Sequence, residues 1–415
     1  MTSAVPLAEA RLARTGPMRM AVPVLHGPMG LVGLVGPMAP RRPSAVALGL
    51  AALLCAALPT AWATEAAGQP PAHHVPGGGF RNTGPGEAPK GLLDVLAWQF
   101  EARRDGLPKP PLAPTPRMAP DLGLLHANAR AGAAMQPAVT WIGHASVLAQ
   151  LGGINILTDP VYAERASPLG FVGPKRQVPP GVALADLPHI DAVLISHNHY
   201  DHLDVASVRA LNAQAGGPPL FLVPLGLKAW MADHGISSVV ELDWWQSHTL
   251  RGVELALTPV QHWSGRGLTD RRATLWGGWA VFAPDQHLYF TGDTGYSADF
   301  AEIRRRFLPR QGPVGFDIAL IAIGAYEPRS FMAAQHIDPA EAVRIHRDLA
   351  ARQSLGIHWG TFELSNESLD EPPRALARAR REQGVDDGAF VTVAVGETMR
   401  LPRREAAAVP PRSAP

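Results

Sequence analysis

The segment Ser196-His197-Asn198-His199-Tyr200-Asp201-His202 is the strongest indication of fold and function in this sequence. It follows a short, continuously apolar run, which is typical of a buried strand. Residues two apart in an extended segment point to the same side, so His197 and His199 can bind one ion together. Asp201 and His202 follow at a turn and can face a second ion nearby. The segment therefore predicts a metal site at the end of a buried strand.

Three more candidate ligands lie downstream, each just past a predicted strand. They are His262, Asp293 and His358. A histidine at such a position can also be a buried residue with its hydrogen bonds satisfied, so each one taken alone is ambiguous. Imidazole and carboxylate ligands without thiolates suit zinc, and they also suit iron or manganese. Such ions lower the pKa of bound water towards ~7 and so supply hydroxide at neutral pH.

Short apolar runs separated by polar loops begin at Val139 and predict an alternating architecture. The predicted strands are 139–142, 147–151, 154–157, 192–195, 220–223, 239–242, 253–257, 279–282, 288–290, 318–323 and 355–357. Helices are predicted over 297–307, 371–383 and from the N-cap Asp338 to about Leu349. The early strands form hairpins and the later ones alternate with helices. Two packed sheets with helices outside are therefore expected.

In this order, the seven candidate ligands resemble the complete ligand set of the metallo-β-lactamase superfamily. The resemblance implies an αββα four-layer sandwich of two mainly antiparallel sheets with helices outside. It implies two zinc ions, the first held by His197, His199 and His262. The second would be held by Asp201, His202 and His358, and Asp293 would bridge the two.

Further segments resemble one family within that superfamily, the N-acyl-phosphatidylethanolamine-hydrolysing phospholipases D. They are Thr158-Asp159-Pro160-Val161-Tyr162, Arg165-Ala166-Ser167-Pro168, Gly173-Pro174-Lys175-Arg176, Glu241-Leu242-Asp243-Trp244-Trp245, Gln261-His262-Trp263, Thr291-Gly292-Asp293-Thr294-Gly295-Tyr296, Gly324-Ala325-Tyr326-Glu327-Pro328-Arg329, Gln335-His336-Ile337-Asp338-Pro339 and Ile357-His358-Trp359-Gly360-Thr361-Phe362. The resemblance covers about residues 138–400.

The family resemblance implies a membrane-associated phosphodiesterase that releases N-acylethanolamine and phosphatidic acid. It implies catalytic roles for Asp201, Gln335 and His336 near the metals. It also implies substrate contacts from Trp263, Tyr326 and Arg329. A loop histidine that merely caps the next helix is the alternative for His336.

Several other polar residues have expected roles outside the set of candidate ligands. Asp159 is expected to orient a ligand histidine, with a turn-forming aspartate before proline as the alternative. His144 is expected to be structural rather than a ligand. His346 falls within a predicted helix and is expected at the surface. Three arginines, Arg266, Arg271 and Arg272, could meet lipid phosphates or form a solvated cluster.

Two other functions stay open at this point. The same metals can attack a carbonyl carbon, so a lactonase or another ester or sugar-phosphate hydrolase is the main alternative. A non-catalytic metal-binding protein is the third, against which the full set of seven ligands argues. An apolar groove leading from the metals would favour the lipid, and a small closed pocket would favour the smaller ester.

Composition and the N-terminal segment indicate the size of the core, the class of partner and the location of the protein. A hydrophobic content of 46% supports a sizeable core, and a net charge of +1 predicts no nucleic-acid partner. The only cysteine, Cys55, lies in an apolar run that follows Arg41 and Arg42 and precedes Ala61-Trp62-Ala63. This pattern predicts an exported protein, periplasmic or membrane-associated, with an uncleaved anchor as the alternative to a cleaved signal.

The predicted organisation has four parts. Residues 1–63 are a signal peptide with an over-long start, for which Met38 is a better beginning. Residues 64–137 are a flexible, Pro- and Gly-rich arm and extension. Residues 138–403 form the hydrolase domain, and 404–415 form a disordered tail.

Overall fold

The computed structural model describes residues 71–84 and 90–404. The predicted signal peptide of residues 1–63 and the tail beyond Arg404 lie outside the described residues. Arg404 itself is held against the domain, because its Nη1 donates to Asp317 Oδ2 at 2.9 Å. Among the helices of these described ranges, none combines the length and the apolarity that crossing a bilayer requires.

The first sheet has seven strands, six from the first half of the domain and one from its end. They are β1 (Ala138–Gly143), β2 (Ser146–Leu151), β3 (Ile154–Thr158), β4 (Ala192–Leu194), β5 (Leu220–Pro224), β6 (Val239–Leu242) and β14 (Thr398–Arg400). Their order is β14-β1-β2-β3-β4-β5-β6. The last strand of the chain therefore returns to pair with the first.

The second sheet also has seven strands, all from the second half of the domain. They are β7 (Ser247–Leu250), β8 (Val253–Thr258), β9 (Gly278–Ala283), β10 (Gln286–Phe290), β11 (Ile318–Ala322), β12 (Gln353–Ile357) and β13 (Phe390–Val391). Their order is β13-β12-β11-β10-β9-β8-β7.

Strand direction follows the connections between strands. Tight hairpins join β1 to β2 and β2 to β3, so these pairs are antiparallel, whereas β3 to β6 are linked by longer crossovers and run parallel. The second sheet repeats this division: β7 to β10 are antiparallel, and β10 to β13 are parallel. The expected two-sheet sandwich is confirmed, but its sheets are mixed rather than mainly antiparallel.

Eight α-helices accompany the sheets in the described part of the chain. They are α1 (Leu92–Asp105), α2 (Leu122–Ala129), α3 (Val205–Asn212), α4 (Leu227–Asp233), α5 (Asp299–Gln311), α6 (Arg329–Met332), α7 (Pro339–Asp348) and α8 (Glu371–Gln383). A reciprocal capping box begins α7, since Asp338 accepts from the Glu341 N–H and Glu341 accepts from the Asp338 N–H. The sequence correctly placed this helix start.

Two apolar clusters hold the layers together. The larger joins facing residues of both sheets, such as Trp141, Trp279 and Phe290, to apolar side chains of α5, α7 and α8. The smaller joins the first sheet to α2, α3 and α4 through residues such as Leu125. Strands β1 to β3 are buried along their whole length. Their few polar side chains are hydrogen-bonded, for example Gln150 Nε2, which donates to Asn155 Oδ1 at 2.9 Å.

The segment 71–84 is not the flexible arm that its composition predicts. His73 and His74 contact Asp243, and Asn82 Oδ1 accepts a hydrogen bond from the backbone N–H of His262 at 3.1 Å. Helix α1 also packs on the domain, because Trp98 stacks on Phe331 with ring centroids 5.1 Å apart. Contacts with residues far along the chain, which local composition does not reveal, order this extension.

Candidate metal centre

Three imidazoles converge at the edge where β4 and β8 end. His197 Nε2 lies 2.8 Å from His199 Nδ1, and His262 Nε2 lies 3.3 Å from that same Nδ1. His197 and His262 are buried, and His199 is partly exposed towards a cleft. These three nitrogens form one group that could hold a metal ion.

A second group lies beside the first. Asp201 Oδ2 is 3.4 Å from His202 Nε2 and 3.5 Å from His358 Nε2, and the two imidazole nitrogens are 3.2 Å apart. His144 belongs to the same group, with its Nε2 3.0 Å from Asp201 Oδ2. Residues from both sheets therefore meet here.

Asp293 lies between the two groups. Its Oδ1 is 3.1 Å from His358 Nε2, and its Oδ2 is 3.1 Å from His202 Nε2. The same Oδ2 is 4.0 Å from His197 Nε2 and from His262 Nε2. A carboxylate in this position can bridge two ions.

The hydrogen bonds of the outer ring nitrogens explain why the inner nitrogens point at the centre. Asp159 Oδ2 accepts from the Ser196 hydroxyl at 2.5 Å and from His202 Nδ1 at 2.7 Å. Because the Ser196 hydroxyl donates to Asp159, the 2.9 Å contact with His197 Nδ1 has the ring as donor. His262 Nδ1 donates to the carbonyl of Gln335 at 2.9 Å. In neutral rings, the Nε2 lone pairs are then free to bind a metal.

The backbone around the centre adopts uncommon conformations. His358 has φ +64°, His144 has φ +53°, and Asp159 has φ +30°. Non-glycine residues with positive φ cost of order 1–3 kcal/mol each and concentrate at functional sites. Gly292, with φ +56°, precedes Asp293, and a Cβ at this glycine would lie 2.6 Å from Ser196 Cβ. Only glycine fits at that position.

Electrostatics also favours positive charge at the centre. Burial opposes the ionisation of Asp293, but the neighbouring histidines outweigh it and hold the pKa of Asp293 well below its usual range. At His202, burial opposes protonation, yet Asp293 and Asp201 raise its pKa well above the ordinary value. Burial and the neighbouring histidines lower the pKa of His197 well below 6.5. The two carboxylates thus favour positive charge among these imidazoles, which suits a pair of divalent cations.

A cleft of about 270 Å³ opens beside the centre. Its lining combines polar residues, such as Gln335 and His336, with apolar ones. Trp263 lies in the wall and donates from Nε1 to Gln335 Oε1 at 2.7 Å. His336 Nδ1 is 3.8 Å from Asp293 Oδ2. The structure thus places these three predicted residues at the cleft.

Two predicted substrate contacts lie elsewhere. Tyr326 is absent from the lining of this cleft and instead borders a neighbouring acidic cavity. Arg329 Nη2 contacts Glu341 Oε2 at 2.6 Å, and its Nη1 donates to the carbonyl of His336 at 2.8 Å. Its guanidinium therefore holds the turn before α7. Contacts of Tyr326 and Arg329 with a substrate stay predictions.

Several cleft residues were not singled out by sequence reasoning. Ala166, Met332 and Leu364 supply apolar lining from three distant segments. Tyr200 also lines the cleft, and the Arg266 guanidinium stacks on its ring at 3.9 Å. The Arg271 guanidinium stacks on Trp263 at 3.8 Å. These half-buried cations therefore lie directly beside two lining residues of the cleft.

Comparison with known proteins agrees with this geometry. A beta-lactamase superfamily domain matches residues 154–359. A possible metal-dependent hydrolase from Veillonella parvula has the same fold, with a TM-score of 0.51 and 18% identity over 64% of this chain and 100% of that one. The fold and the paired ligand groups define a metal-dependent hydrolase with the metallo-β-lactamase fold.

Two curated relatives show which family of metal-dependent hydrolases the chain belongs to. The chain is 43% identical over 273 residues to N-acyl-phosphatidylethanolamine-hydrolyzing phospholipase D 1 of Caenorhabditis elegans, covering 62% of this chain and 74% of the nematode protein. It is 35% identical over 260 residues to the mitochondrial enzyme of the same name from Saccharomyces cerevisiae, covering 60% and 53% of the two chains. The chain belongs to this phospholipase D family.

Proposed function

We propose that this protein is a binuclear zinc phosphodiesterase that cleaves N-acyl-phosphatidylethanolamine to N-acylethanolamine and phosphatidic acid. The observation that carries the substrate class is its membership of the phospholipase D family, at the identity it shares with the nematode enzyme. The open, partly apolar cleft beside the ligands agrees with a lipid better than a small closed pocket would.

The proposed first ion is held by His197, His199 and His262, and the second by Asp201, His202 and His358, with Asp293 between them. Zinc suits these imidazole and carboxylate ligands, although iron and manganese accept the same donors. When bound, the ions polarise phosphoryl oxygens and provide hydroxide from water at neutral pH. The chain contributes the fixed direction of its ligand nitrogens, which Asp159, Ser196 and the Gln335 carbonyl set.

In the proposed reaction, a water oxygen bonds to phosphorus while the bond between phosphorus and the ethanolamine oxygen breaks. The proton lost by the water ends on the departing oxygen. Burial lowers the pKa of His336 to about 4, so this ring is neutral at physiological pH. We therefore assign His336 to orienting the phosphate by a hydrogen bond. Gln335 holds Trp263 in the cleft wall and supports His262.

The surroundings of the cleft also support contact with a phospholipid surface. Leu93, Leu96 and Phe100 lie at helical spacing on α1 and are exposed. Phe171, exposed by 81%, belongs to the loop that begins near the cleft residue Ala166. Exposed apolar patches of this kind mark membrane or protein contacts. We propose peripheral binding through α1 and this loop.

Export of the chain to the periplasm or the membrane surface remains part of the proposal. It rests on the signal-like pattern that ends at Ala63, which lies outside the described residues.

The decisive experiment is hydrolysis of N-acyl-phosphatidylethanolamine in mixed micelles by the full-length protein. The protein is stripped with a chelator and assayed before and after zinc is restored. Zinc-dependent release of N-acylethanolamine is the expected result. If a protein that still binds zinc releases none, the lipid assignment fails, and a lactone or another small ester becomes the better substrate.

A further inference from the structure

A second cluster of metal-binding side chain types lies outside the centre described above. His73 Nε2 is 2.6 Å from Asp243 Oδ1, and His74 Nε2 is 2.8 Å from Asp243 Oδ2. These ligand atoms lie within 4.8 Å of one another. None of the three residues lines the cleft.

The loop that carries the two histidines is built to bring them together. Adjacent residues of an extended strand would point to opposite sides. Here the chain turns at the first histidine: the His74 N–H donates to the carbonyl of Pro71 at 2.8 Å, and the Arg81 N–H donates to the carbonyl of His73 at 2.9 Å. The Val75 N–H closes the loop on the carbonyl of Gly79. Both rings therefore face the same carboxylate.

Aromatic packing fixes the orientation of both rings. His73 stacks on Trp244 with centroids 4.3 Å apart and planes at 28°. Trp244 is itself fixed, because its Nε1 donates to the carbonyl of Trp276. His74 packs edge-on against Phe80 at 5.2 Å. The Nε2 atoms are thus held in place before any ion arrives.

We propose that His73, His74 and Asp243 bind a third divalent transition-metal ion, with zinc as the best-suited ion. Two imidazole nitrogens and one carboxylate are a sufficient protein ligand set for tetrahedral zinc with water as the fourth ligand. The His74 side chain is 30% exposed, so solvent can reach the remaining position. Asp243 is largely buried and holds the ion to the sandwich.

The role of this ion is to fasten segment 71–84 to the domain. The segment continues to Asn82, whose Oδ1 accepts from the His262 N–H and from Trp276 Nε1, both at 3.1 Å. Thr83 then donates to Asp299 at 2.6 Å. The third ion therefore stabilises, from a distance, the backbone of a proposed catalytic ligand.

The test is a count of bound zinc in the full-length, tag-free protein. The protein is stripped, reloaded with excess zinc and dialysed, and zinc is measured against protein concentration. The His73→Gln/His74→Gln variant keeps neutral donors towards Asp243 but removes both imidazole ligands. It is expected to bind one equivalent of zinc fewer than wild type. An equal zinc content would overturn the third site and leave the cluster as a hydrogen-bonded clamp.

Controls separate this result from the proposed catalytic function. His126→Gln/His189→Gln removes two histidines that each contact a single backbone carbonyl, and its zinc content is expected to match wild type. The His197→Ala variant is expected to lose catalytic zinc while keeping the zinc equivalent that depends on His73 and His74. If the double variant fails to fold, His74→Gln alone is compared, and unchanged zinc content then overturns the site.

Discussion

At the scale of single residues, Asp293 is the side chain on which the centre depends most. It contacts nitrogens of both ligand groups. We expect Asp293→Asn to lose zinc and to lower phosphodiester turnover at least ~100-fold, since removal of one charged partner leaves the others uncompensated. Zinc content and initial rates measure this. Full activity in the variant would refute the bridging role.

His144 offers a second test at this scale. Its Nε2 reaches Asp201, its ring lies 3.9 Å from that of His358, and Phe362 packs edge-on against it. We expect His144→Phe to keep the packing and to weaken binding of the second zinc roughly 10- to 100-fold, the usual effect of removing a hydrogen bond to a metal ligand. Competition with a fluorescent chelator measures this affinity. An unchanged affinity would leave His144 with a structural role alone.

The sequence predicted the positions of the seven candidate ligands because each follows the end of a strand that is visible in the sequence as an apolar run. The lining of the cleft was harder to predict. Arg329 is satisfied by Glu341 one helix later, and the apolar lining comes from Ala166, Met332 and Leu364. These contacts depend on how distant segments pack, which no local pattern encodes.

At the scale of elements, the contact between α7 and β12 corrects one expectation. His346 is buried rather than exposed, and its Nδ1 lies 2.8 Å from Ser354 Oγ. The sequence correctly predicted that His346 lies in a helix. Whether its side chain is buried depends on β12, which comes later in the chain. In the same way, the connections between strands, and not the strands themselves, determine which pairs run parallel.

This burial has a consequence for pH dependence. Burial, followed by Arg347, lowers the pKa of His346 to about 4. The unfolded chain takes up this proton near pH ~6.5, so stability is lost as the pH falls from there towards 4. We expect His346→Gln, which can still bond to Ser354, to have a smaller fall in unfolding free energy across that window. Urea denaturation at several pH values measures it, and parallel curves would contradict the assignment.

The loop containing Phe171 and the exposed face of α1 provide the test of membrane contact. We expect Phe171→Asp to reduce sedimentation with phospholipid vesicles, because a charge would replace an apolar anchor. Leu308→Asp is the matched control, since Leu308 is an exposed apolar residue of α5 that does not line the cleft. Equal loss of binding in both variants would argue against a specific membrane face.

At the scale of the whole molecule, the candidate ligands come from both sheets. The loop after β4 supplies four of them, and the second sheet supplies His262, Asp293 and His358. Bound ions would therefore hold the sheets together at one edge and add stability by mass action, about 2.7 kcal/mol at a hundredfold excess over Kd. We expect chelation to lower the melting temperature and zinc to restore it. Calorimetry measures this, and Asp293→Asn should show a much smaller shift.

The return of β14 to the first sheet has one more implication. A single break in the loop 243–246, between β6 and β7, would divide the ligands between two polypeptides, four on the first and three on the second. The second polypeptide would still contribute β14, whose register pairs Val139 with Met399. The two fragments would reassemble through β14, which the second donates to the sheet of the first, and through metal ions bound by both. This protein is therefore suited to a fragment-complementation assay, in which recovered activity measures the association of the two fragments.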